Sequence, residues 1–168
     1  MNYLGISKEK AAPTGEALNQ LLADYQVYYQ NLRNFHWNVS GHNFFDLHAK
    51  FEELYTDARE KIDDIAERIL TLRMRPVSTL TDYLKMAKVE EYGRVLDDEE
   101  MVRKLLENHK VIIDDMRKVI AEADAITDEG TIDLIGGFLS SFEKLSWMLD
   151  AWYAKLEKKV PSEIASQN

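Results

Sequence analysis

Apolar residues recur at three- and four-residue intervals in four long segments of this chain, the mark of amphipathic helices rather than strands. The first segment, 14–39, carries Leu18, Leu21, Leu22, Tyr25, Tyr28, Leu32, Phe35 and Val39 on one stripe, with Gly41 just beyond as a stop. The second, 44–73, carries Leu47, Phe51, Leu54, Ala58, Ile62, Ile65, Ile69 and Leu72. The third, 97–125, opens on Asp97 with Glu100 three residues on, the pattern of a capping box. It continues through Val102, Leu105, Ile112, Met116 and Val119. The fourth, 128–158, carries Ile132, Ile135, Leu139, Phe142, Leu145, Leu149, Trp152 and Leu156, and ends before Pro161.

The connections decide the topology. A few residues join the first helix to the second and the third to the fourth, so each pair forms an antiparallel hairpin. More than twenty separate the second from the third, around Pro76 to Leu96, and within them 79–87 fits a short helix. One long crossover is the ferritin-like variant of the four-helix bundle. The expected architecture is all-α, in one domain, with an N-terminal extension over 1–13 and a tail over 159–168.

Composition narrows the class. The 168 residues hold no cysteine, which excludes disulfides, thiolate metal sites and cysteine nucleophiles. No apolar run has the length of a membrane span, and Met1 to Ala12 does not read as a signal peptide, so a cytoplasmic location is expected. The formal charge of −9 favours cations over nucleic acid or anionic membranes.

The candidate chemistry lies on the second helix. His48 and Glu52 stand four residues apart, as do Asp63 and Glu67, and residues so spaced share a face. Fifteen residues separate His48 from Asp63, roughly 22 Å at 1.5 Å per residue, too far for one ion. Fifteen steps of about 100° nonetheless bring the second pair to within about 60° of the first. Two half-sites on one face suggest completion by a second, antiparallel copy across a two-fold axis. The short first link brings His36, near the end of helix one, toward His48. A site inside the bundle is disfavoured: there is no Glu-x-x-His, and the inward stripes of helices three and four read as apolar throughout. Imidazole and carboxylate suit Fe(II), Mn(II) or Zn(II). The plainer alternative is a solvated helix face, with Arg59, Lys61 and Arg68 pairing the carboxylates.

The segment Asn34-Phe35-His36-Trp37-Asn38-Val39, then Gly41-His42-Asn43-Phe44-Phe45-Asp46-Leu47-His48, then Asp63-Asp64-Ile65-Ala66-Glu67-Arg68, resembles the Dps family, the mini-ferritins. The resemblance covers nearly the whole chain. It implies a hollow homo-oligomer, a dodecamer, built from two-fold dimers. It implies an iron-storing ferroxidase that oxidises Fe(II), with hydrogen peroxide preferred to dioxygen, keeps a ferric mineral inside and protects the cell from oxidative damage. On the same ground His36, His48 and Glu52 come from one subunit and Asp63 and Glu67 from its neighbour. Glu52 departs from the aspartate frequent there. Trp37 matches a tryptophan beside the centre that could give up an electron; aromatic packing at an interface explains it equally well.

Asp124, Asp128, Glu129 and Asp133 gather at the turn into helix four. They either compensate the helix dipole or, as the resemblance implies, line an iron-entry pore, with Asp133 first among them. The alternative function is a DNA-coating nucleoid protein with little iron chemistry. No Lys/Arg-rich tail precedes helix one, and twelve copies at −9 each would carry −108, so DNA binding is expected to be weak or absent. A metal-free scaffold is a second alternative. No nucleophile–base set or phosphate-binding glycine loop supports an enzyme acting on an organic substrate.

Overall fold

The structure, a computed structural model, describes residues 4–93 and 96–157. The tail expected over 159–168, residue 158 and the first three residues of the extension lie outside the described residues. The described residues are all-helical: α1 (Lys8–Asn38), α2 (Phe44–Thr71), α3 (Leu80–Met86), α4 (Asp98–Asp124) and α5 (Glu129–Glu157). Helix α1 packs against α2, α4 and α3, and α4 packs against α5. The four long helices enclose one core, with Leu18, Tyr25, Leu32 and Phe35 meeting Phe51, Ile65, Ile69, Leu105, Ile112, Met116, Ile135 and Phe142.

Helix α1 begins at Lys8 rather than at Thr14. The Ser7 hydroxyl accepts from the Lys10 backbone N–H, and Ala11 and Thr14 are already buried, so cap and packing extend the helix through Pro13. Helix α4 starts as its pattern predicts, with Asp97 capping the Glu100 N–H at 2.8 Å. Helix α2 ends in a left-handed residue, Arg73 (φ 63°), with Met74 N–H bonded to the Ile69 carbonyl, the geometry of a Schellman stop.

The crossover is laid along α1 by polar side chains that bond its backbone. Asn19 accepts from the Val77 N–H, Gln20 donates to the Met86 carbonyl, and Asn34 donates to the Tyr92 carbonyl. Asn31 donates to Glu90 and accepts from Tyr92. Asp24 takes the Lys88 and Val89 N–H groups at 2.6 and 2.7 Å. These bonds satisfy backbone groups that the crossover would otherwise bury unpaired.

The inward stripe of α4 is not apolar throughout. Asn108, His109 and Asp115 are buried in it. His109 lies four residues after Leu105 and three before Ile112, so the helical period itself places it there. Asp115 ion-pairs with Lys88, while its Oδ2 is buried with no donor among the described residues. A proton on the neighbouring Asp24 carboxyl would supply that donor. Burial pushes the Asp24 carboxyl up to about 6, and the neighbouring Asp115 adds to the rise against the hydrogen bonds from Val89 and Gln20. The folded chain therefore keeps a proton that the unfolded chain has released, so this group's stabilisation falls as pH rises from the ordinary value near 3.8 to about 6 and is lost above it. Asp24→Asn carries the neutral group at every pH. Relative to wild type, it should gain on the order of 2 kcal/mol between pH 4 and pH 7. Urea unfolding of both proteins at the two pH values measures this, and parallel pH dependences would contradict the raised Asp24 value.

Candidate metal centre

His36 lies in the last turn of α1 and His48 in the second turn of α2. The link between the helices turns at Gly41, whose φ of +99° suits glycine. This tight hairpin stacks the two imidazoles, with centroids 3.8 Å apart and planes 21° apart. Each ring bonds the other residue's backbone: His36 Nδ1 to the His48 carbonyl and His48 Nδ1 to the His36 carbonyl, both at 2.8 Å. A carbonyl oxygen only accepts, so both Nδ1 atoms carry the proton. With Nδ1 as the donor, Nε2 is the ring nitrogen left to face a metal ion, and the ring orientation is fixed from behind. Phe44 stacks on His48 at 4.9 Å. Tyr55 stands edge-on to His36 at 5.4 Å and donates its hydroxyl to Glu52 at 3.5 Å. Tyr55 therefore links Glu52 to the imidazole pair, with His36 only 8% exposed and Glu52 open to solvent.

Asp63 and Glu67 are exposed on α2, several turns away. Among the described residues neither carboxylate has a hydrogen-bond or ion-pair partner. Two of the cations that could have neutralised them are engaged elsewhere, Lys61 with Asp57 and 5.3 Å over Phe138, and Arg68 with Asp128, while Arg59 is exposed. Among the described residues of one chain, no group of three or more His, Asp or Glu could hold a metal ion. One chain thus presents an imidazole half and a separate carboxylate half.

Large apolar side chains are exposed next to His36, near Phe44 and on α3. Phe45, Trp37, Leu80 and Leu84 are exposed, Trp37 by 60%. Arg33 lies 4.7 Å over the Trp37 ring and 5.4 Å over Tyr29. Tyr29 and Arg33 join Tyr83, Leu80 and Leu84 around a cleft of about 370 Å³ between α1 and α3.

The acidic turn divides. Asp124, Glu129 and Asp133 are exposed, but Asp128 is buried, with its carboxylate on Arg68 and Thr131. A second polar group went unread in the sequence: His109 Nε2 lies 2.9 Å from the Tyr28 hydroxyl and its Nδ1 2.8 Å from the Ser146 hydroxyl, in the bundle interior.

Comparison with known proteins bears on this arrangement. Residues 15–159 match the family model of the ferritin-like domain. A DNA protection during starvation protein of Porphyromonas gingivalis is 42% identical over 155 residues, covering 92% of this chain and 98% of the relative. DNA protection during starvation protein 2 of Bacillus anthracis is 40% identical over 137 residues, covering 82% and 94%. The crystal structure of the Dps protein of Vibrio cholerae, described as a member of a broad superfamily of ferritin-like diiron-carboxylate proteins, superposes with a TM-score of 0.87 at 42% identity, covering 89% of this chain and 94% of that one.

Proposed function

The chain belongs to the Dps family of ferritin-like proteins, and from that premise we propose that it oxidises ferrous iron at sites shared between two copies and stores the ferric product in a hollow dodecamer. His36, His48 and Glu52 of one copy bind the iron together with Asp63 and Glu67 of a two-fold neighbour. Iron is here the substrate. The observation that carries the reading is the pair of mutual Nδ1–carbonyl bonds, which reserves both Nε2 atoms while leaving Glu52, Asp63 and Glu67 uncommitted to any cation. The exposed Trp37, Phe45, Leu80 and Leu84 give a second copy an apolar surface to cover. The diiron-carboxylate description of the Vibrio cholerae relative supports two irons per site.

Hydrogen peroxide is the preferred oxidant, because two irons within one site together give it the two electrons that its reduction needs, one from each, and no hydroxyl radical escapes. Trp37, beside the site, is a candidate electron donor when only one iron is bound. In anaerobic titrations the protein should consume about two Fe(II) per peroxide, with spin-trapped hydroxyl radical below that of iron in buffer. Consumption of peroxide with undiminished trapped radical would overturn the proposal. Zinc takes the same nitrogen and oxygen donors and has no redox chemistry, so prior zinc loading should block the reaction; manganese fits the same donors.

Iron reaches the interior past the exposed acidic turn, where Asp133 and Glu129 concentrate cations. Asp133→Asn should slow uptake at limiting iron and leave it unchanged at high iron; uptake followed by ferric absorbance at the two concentrations decides the matter. The DNA-coating alternative draws on the relatives' printed names. The charge of −9 per chain opposes it, and a gel shift by metal-free protein at low salt would favour it.

A further inference from the structure

The buried pair Tyr28–His109 has a direction that its hydrogen bonds fix. The Ser146 hydroxyl donates to the Phe142 carbonyl at 2.8 Å, so Ser146 Oγ receives the proton on His109 Nδ1. His109 Nε2 is then the unprotonated nitrogen, and the Tyr28 hydroxyl donates to it at 2.9 Å. Tyr28 is about 1% exposed and His109 likewise. Burial holds the His109 imidazole neutral, with its pKa lowered to about 3, and keeps the Tyr28 phenol protonated by pushing its pKa well above the ordinary value. A buried phenol with a dedicated, neutral proton acceptor is the arrangement in which a tyrosine loses an electron without leaving a charged phenol behind. Neighbouring Tyr25, 6.0 Å away, lacks this: its hydroxyl is buried with no partner among the described residues.

Aromatic rings lead from the iron-binding imidazoles as far as Tyr29, and the α1 backbone alone separates Tyr29 from Tyr28. His36 meets Tyr55 at 5.4 Å, Tyr55 meets Tyr29 at 6.2 Å, and Tyr29 is the chain neighbour of Tyr28. His36 follows Tyr28 by eight residues on α1, about 12 Å of helix.

We propose that Tyr28 and His109 form an internal one-electron store for the iron reaction, holding the second oxidising equivalent of peroxide when a site contains a single iron. This rests on the proposed ferroxidase function. One Fe(II) and one peroxide give Fe(III), hydroxide and a hydroxyl radical. That radical takes one electron from Tyr28, by way of Tyr55, Tyr29 and the α1 backbone, and becomes hydroxide, while the phenolic proton moves along the existing hydrogen bond to His109 Nε2. The products are a neutral tyrosyl radical and an imidazolium. A second Fe(II) returns the electron, the proton moves back, and the sum is two Fe(III) and two hydroxides per peroxide.

Freeze-quench electron paramagnetic resonance tests this in the full oligomer, loaded anaerobically with less than one Fe(II) per site and mixed with peroxide, with ferric absorbance read on the same sample. Wild type and Tyr25→Phe should show a tyrosyl signal that added Fe(II) discharges. Tyr28→Phe should lose that signal, and His109→Phe should lose it with Tyr28 still present, while both oxidise iron. Iron oxidised with the dischargeable signal intact in Tyr28→Phe overturns the store and leaves the ferroxidase reading standing. No iron oxidation in wild type overturns the ferroxidase reading instead. In that case a flash-generated ruthenium(III) oxidant on iron-free protein still decides the redox role: a long-lived tyrosyl radical must form in wild type and be missing from Tyr28→Phe. Circular dichroism and gel filtration confirm that each variant is folded.

Discussion

Co-expressing a subunit that lacks its imidazoles (His36→Ala with His48→Ala) and one that lacks its carboxylates (Asp63→Ala with Glu67→Ala) is expected to restore iron oxidation that neither variant supports alone. The reason is geometric. Within one chain the two halves are separated by about 22 Å of helix, and no cluster of three ligating side chains exists among the described residues. The proposed two-fold pairing would join the imidazoles of each copy to the carboxylates of the other. In a mixed pair, the imidazoles of one parent face the carboxylates of the other, giving one intact site, while the second site lacks both halves. Random pairing makes half of the dimers mixed, so about a quarter of all sites should be whole. Each parent alone loses ligands outright, and this should exceed the roughly 10–100-fold effect of removing an outer-shell partner. Stopped-flow absorbance on doubly tagged, co-purified oligomers reads the result. Mixed oligomers as inactive as their parents would place the site elsewhere, as would parents with wild-type rates.

The parts of this arrangement legible in the sequence share one property: they depend only on helical period and on the lengths of the links between helices. The stripes gave the four helices, and intervals of four gave the shared faces of His48 with Glu52 and Asp63 with Glu67. The short link placed His36 near His48, but not the mutual carbonyl bonds, because those depend on the rotation of two helices about each other. The route of the crossover was hidden for a related reason. Asn19, Gln20, Asp24, Asn31 and Asn34 read as ordinary polar positions, and their partners lie 56 to 66 residues away. His109 sat in the stripe of α4 at a regular interval, yet a lone histidine gives no sign of the tyrosine and serine that pair with it. Helix α1 ran longer than its stripe because a serine cap and two small buried residues need no large apolar side chain.

Asp128 is the sharpest case of a residue whose neighbours in sequence mislead, and it leads to a large expected effect on stability: Arg68→Ala should cost about 3–5 kcal/mol. In the sequence, Asp128 belongs to an exposed acidic group; in the fold it is 3% exposed and stands at the cap of α5. Arg68 donates to its carboxylate and, through Nε, to Thr131 Oγ1 at 2.8 Å, and Thr131 in turn donates to Asp128 Oδ2 at 2.5 Å. Gly130 leaves room for this: a Cβ there would meet both terminal nitrogens of Arg68 at 3.1 Å. The pair therefore ties the last turns of α2 to the start of α5. Removing the guanidinium leaves a buried carboxylate with one hydroxyl and a helix N-terminus for company, which is why the loss exceeds that of a surface pair. For a chain of this length each kcal/mol lowers the melting temperature by roughly 2–4 °C, so a fall of about 10 °C is expected at matched protein concentration. Replacing both partners by leucine should recover much of the loss, since no buried charge then remains. Glu67 precedes Arg68 on the same turn, so Arg68→Ala should also slow iron oxidation well below the melting temperature, whereas Asp133→Asn should leave stability untouched. A melting temperature for Arg68→Ala within about 2 °C of wild type would mean that the pair contributes no more than an exposed one.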